Sequence, residues 1–70
     1  MCSGKLIQGY SSLWTAKKEC KKDANCNGIV NIGCKYEMFW TCNGNIKQNS
    51  IENMKSCAWE KGKNFNFVNS

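Results

Sequence analysis

The residues of this chain with the most chemistry open to them are six cysteines, Cys2, Cys20, Cys26, Cys34, Cys42 and Cys57, in a sequence of 70 residues. A cysteine can hold a metal, attack an electrophile or bond to a second cysteine. Zinc sites want close pairs such as C-x2-C, usually with histidine. Here the nearest pair, Cys20 and Cys26, has five residues between its members, and there is no histidine. Thiolate catalysis wants a neighbouring base. With Glu19 and Asp23 in one segment and Glu37, Glu52 and Glu60 scattered over others, neither a nucleophile–base pair nor an acid–base constellation is legible. The sequence is therefore read as non-enzymatic, with no metal and no cofactor. Cross-linking remains. A domain this short buries only about 60% of its unfolded surface, and an even cysteine count on such a chain reads as three disulfides. Disulfides place the expected home of the protein outside the cytosol, as a secreted, extracellular chain.

The second group is a charge cluster, Lys17-Lys18-Glu19-Cys20-Lys21-Lys22. On a helix, Lys17 and Lys21 share one ridge and Lys18 and Lys22 the next. Like charges at that spacing repel, and an acidic glycan, an anionic lipid or an acidic protein patch would relieve the repulsion. The plainer alternative is a solvated face that keeps a small protein soluble. Over the whole chain ten basic residues, all lysine, face five acidic ones, for a formal charge of +5. Such a surface favours acidic partners, although lysine lacks the bidentate fork with which arginine grips phosphate, sulfate and carboxylate. Nucleic acid is disfavoured for an exported, arginine-free domain. No asparagine opens an N-x-Ser/Thr sequon. Aromatic side chains supply the third group, since their faces stack on sugars and anchor protein interfaces. A chain this small needs most of them for its core, Trp14 beside the helix stripe included. Phe39 and Trp40 must point to opposite sides of a strand, so one of the two, with Trp40 as the candidate, is expected to be an exposed contact. Tyr36, next to Lys35, joins the candidate ligand-binding set.

These groups need elements to position them. Gly4–Tyr10, a short apolar stretch bounded by glycine, suits a strand. Ser11 or Ser12 can cap a helix running from Leu13 to Asp23, in which Leu13, Ala16 and Cys20 fall at i, i+3 and i+7 and make one inward stripe. The period then changes to two. Ile29, Val30 and Ile32 form one β-branched run, Lys35–Cys42 a second, and the two are expected to pair as a hairpin around Gly33-Cys34. Asn43-Gly44-Asn45 signals a turn, and Ile46–Ser56 is polar and ambiguous. Cys57–Lys61 and Asn64–Val68 alternate again as closing strands. The expected architecture is α+β, one helix on a small curled antiparallel sheet. It forms a single domain over residues 1–70, with Met1 an added start residue after removal of an export leader and residues 62–70 a C-terminal strand or tail. No apolar run approaches a membrane span.

Neither adjacent cysteines nor C-x-C occurs, which argues against cystine-knot toxins, defensin-like scaffolds and EGF modules. The run Ala16 to Ile29 resembles instead the PAN/apple module. An alanine, Ala16, precedes Cys20 by four residues, Cys26 follows, and Gly28 opens a strand. Cys34 and Cys42 sit where the family's next pair would, with Phe39 and Trp40 before the latter, and Cys2 and Cys57 bracket the domain. The resemblance spans Cys2 to Lys61. Six cysteines allow fifteen pairings, and the sequence alone does not choose. The resemblance implies the nested set Cys2–Cys57, Cys20–Cys42 and Cys26–Cys34. It also implies a secreted recognition role, since apple-type modules include members that bind heparin-like glycans or other proteins. The expected function is thus a module that binds an extracellular carbohydrate or protein, partly through Lys17, Lys18, Lys21 and Lys22. The alternative is a venom or defence peptide acting on an ion channel or membrane.

Overall fold

A computed structural model of the chain describes residues 2–34, 37–46, 56–62 and 65–69. Its elements run β1 (Leu6–Tyr10), α1 (Leu13–Lys22), β2 (Gly28–Ile32), β3 (Phe39–Cys42), β4 (Ser56–Glu60) and β5 (Asn66–Asn69). The strands form one antiparallel sheet in the order β1-β3-β2-β4-β5. The α+β expectation holds, as does the β2–β3 pairing, with Gly28 opposite Cys42 and Val30 opposite Trp40. Of the second run, the described residues Glu37 and Met38 lie outside the strand, which covers Phe39–Cys42. Met1, Lys35, Tyr36 and the ambiguous 47–55 stretch lie outside the described residues.

Local chemistry sets the ends of the helix. The Ser12 side chain accepts a hydrogen bond from the Thr15 N–H at 3.3 Å, satisfying one orphan donor of the first turn. At the other end the Asp23 N–H donates to the carbonyls of Glu19 and Cys20, each at 3.2 Å, and the Asp23 carboxylate accepts from the Asn25 N–H at 2.8 Å. That Asx turn reverses the chain toward β2. Lys21 and Lys22 in the last turn complement the negative end of the helix dipole.

Alternation along the strands divides the apolar residues between two sides of the sheet. Beneath the helix lie Ala16, Cys20, Cys26, Ile29 and Phe65, flanked by Tyr10, Leu13, Phe39 and Trp59. On the opposite side Val30, Cys42, Ile46 and Ala58 pack with Cys2 and Trp40. The helix lies over β1, β3 and β2, so it sits off-centre.

All three cross-links differ from the nested set. They join Cys2 to Cys42, Cys20 to Cys26, and Cys34 to Cys57. Cys20 cannot reach Cys42 because the sheet lies between them: one packs under the helix, the other on the far side. Cys20 meets Cys26 instead, since the turn at Asp23–Asn25 brings their Cα atoms to 5.2 Å. The whole of β2 separates Cys26 from Cys34. Its five residues extend about 16 Å at ~3.3 Å each, well beyond the ~7 Å limit for a disulfide. Cys34 has φ 58° just past that strand, and Cys57 lies opposite Asn31 at the same end of the sheet. Cys2 belongs to the other end: it bridges Ile46 and bonds Cys42, which faces Gly28.

Candidate functional site

The outer surface of α1 gathers the expected lysines and one residue expected in the core. Counting about 100° per residue from Leu13, Ala16 and Cys20 stay close to Leu13 and form the buried stripe. Trp14 falls well outside it, between the ridge of Lys17 and Lys21 and that of Lys18 and Lys22. Its side chain is accordingly 70% exposed. The sequence contained this signal, in the helical position of Trp14 rather than in its apolar character.

Trp14, Lys17, Lys18, Lys21 and Lys22 together line one shallow depression of about 400 Å³. The Lys18 ammonium stands over the Trp14 ring, 5.3 Å from its centroid, a cation–π contact at the i, i+4 spacing. Lys17 is half-buried, whereas Lys18, Lys21 and Lys22 are exposed. Glu19 moderates one edge of the cluster through a 3.6 Å ion pair with Lys22. The result is an apolar ring bordered by four cations and one acid, a surface able to attract a multiply charged anion and offer it a flat face.

Trp40, a further site candidate, does not join this cluster. Trp40 is half-buried against Val30, Cys42, Ile46 and Ala58 on the far side of the sheet, so its expected role as an exposed contact is corrected. Phe39 is also half-buried, packing toward Trp59 at a centroid distance of 5.9 Å. Both sides of β3 carry core, which is why neither residue is left over. Tyr36 is outside the described residues.

A second depression, about 450 Å³, is bordered by Asn27, Asn45, Ile46, Glu60, Lys61 and Gly62. The Lys61 ammonium donates to the Asp23 carbonyl at 3.0 Å, so this cation helps to close the helix C-terminus. All six cysteines are bonded in pairs, and none supplies a thiolate. The chain matches no protein-family model, no curated protein and no solved structure.

Proposed function

We propose that the chain is a secreted, non-enzymatic recognition module that binds an anionic extracellular carbohydrate or protein through the outer face of α1. The observation that carries this is the convergence of Lys17, Lys18, Lys21 and Lys22 on one depression around an exposed tryptophan. A solvated face needs charge alone; it gains nothing from an indole left in water, since tryptophan is on average a highly buried residue. Three disulfides support an oxidising compartment, and among the described residues no helix is long and apolar enough to cross a membrane. The PAN/apple resemblance contributes only its layout of a helix on an antiparallel sheet, because the cysteine pairing it implies does not form. The venom or defence alternative draws on the same surface. One ring among four ammonium groups is narrow for seating in a bilayer, which calls for a broad apolar helix face.

Retention on immobilised heparin tests the proposal. Replacing Lys17, Lys18, Lys21 and Lys22 together by glutamine keeps good helix formers at every position and removes four cations that would pair with the ligand's anionic groups, so binding should weaken about tenfold or more. Elution of the fourfold variant at the wild-type salt concentration would contradict it.

A further inference from the structure

The geometry points to Trp14 as the seat of this site, and to an acidic sugar polymer as its ligand. We infer that a pyranose ring stacks on the Trp14 indole while the polymer's sulfate or carboxylate groups meet the lysines on either side. The inference rests on the binding role proposed above for the α1 face and narrows it to one ligand class.

Three observations lead to it. The indole is 70% exposed on a helix whose buried residues, Ala16 and Cys20, lie on another side, so packing does not account for its position. Lysines flank it in two rows, Lys17 with Lys21 and Lys18 with Lys22; within each row the residues are about 6 Å apart along the axis. That spacing suits an extended polyanion running along the helix, with the ring at the N-terminal end of the two rows and between them around the helix. The depression measures about 400 Å³, near the lower end of the range for small-ligand sites, which fits a short run of sugars better than a folded partner.

An acidic sugar presents the complementary pattern: an apolar C–H face at its centre and anionic groups at its edge. A polyanion without rings would use the lysines and leave Trp14 idle. A bilayer would need more apolar surface around the indole than four ammonium groups leave. In the free protein the Lys18 ammonium covers the ring at 5.3 Å. A sulfate or carboxylate at the rim would draw Lys18 aside and open the face for stacking.

The test uses the whole oxidised chain, three probes and three variants. The probes are a size-fractionated heparin oligosaccharide, poly-L-glutamate of similar charge, and vesicles of phosphatidylserine in phosphatidylcholine. Trp14→Ala should weaken heparin binding about three- to tenfold, and Trp14→Phe should recover most of the loss. Polyglutamate binding should be the same for wild type and Trp14→Ala. Heparin should also alter tryptophan emission in the wild type and leave Trp14→Phe, which retains Trp40 and Trp59, unchanged. Because Trp14 is exposed and alanine is the strongest helix former, both variants should keep the wild-type circular dichroism. If Trp14→Ala binds heparin as wild type does while the fourfold lysine variant does not, the stacking role is overturned and the basic face stands. Equal losses for heparin and polyglutamate would overturn the sugar assignment. Tighter binding to vesicles than to heparin, with a blue shift from Trp14, would assign the surface to lipid and overturn it too. Wild-type heparin affinity in every variant would remove both the inference and the proposed function.

Discussion

Two phenylalanines near the C-terminus show how little residue type says about role. Phe65 has φ 50°, and it is buried beneath the helix with Ala16 and Ile29. Its N–H donates to the Lys61 carbonyl at 2.9 Å. Phe67, two positions on, is 54% exposed and meets Trp59 edge-on at 5.6 Å. Phe65→Ala should therefore cost about 3–5 kcal/mol, as for other large core truncations. Phe67→Ala should cost much less, about 0.5–1.5 kcal/mol from the lost ring pair. Urea denaturation of the two variants checks this, and similar midpoints for both would be the wrong result. Trp14 teaches the same lesson at the site: its surroundings, not its hydrophobicity, set its role.

At the scale of elements, the cross-links should differ in worth because they close loops of different length. Their sequence separations are 40 for Cys2–Cys42, 23 for Cys34–Cys57 and 6 for Cys20–Cys26. Chain entropy then assigns about 4, about 3.5 and about 2 kcal/mol respectively. Paired Cys→Ala variants, followed by urea midpoints, should lose stability in that order. An inverted order would show that packing of the buried Cys20–Cys26 pair outweighs loop closure. The helix was legible in the sequence because Ser12, the Leu13–Ala16–Cys20 stripe and the lysines of the last turn all agree on it. The strands around Ile29–Ile32 and Cys57–Lys61 were legible through their period of two. Cysteine pairing was not, since it depends on the side of the sheet each thiol occupies. Cys20 and Cys42 lie on opposite sides, and no local pattern encodes the register that put them there.

Across the whole molecule, the off-centre helix gives the chain two unlike regions. Over β1, β3 and β2, α1 buries one core and turns its lysines and Trp14 outward. Toward β5 the sheet carries the more exposed Phe67 beside Trp59. A formal charge of +5 draws anions toward the protein at long range, falling off within about 10 Å at ordinary salt. Only a local arrangement decides where they settle. The lysine face is legible in the sequence from the spacing of Lys17, Lys18, Lys21 and Lys22; its aromatic centre is legible only from the helical position of Trp14, because an apolar residue in so small a chain is expected in the core. Amide chemical-shift mapping of the oxidised protein during titration with a heparin oligosaccharide tests this central claim most directly. The α1 proposal predicts the largest shifts at the Trp14 indole N–H and the amides of Thr15–Lys22. Shifts concentrated instead around Asn27 and Lys61, or along β4 and β5, would contradict it.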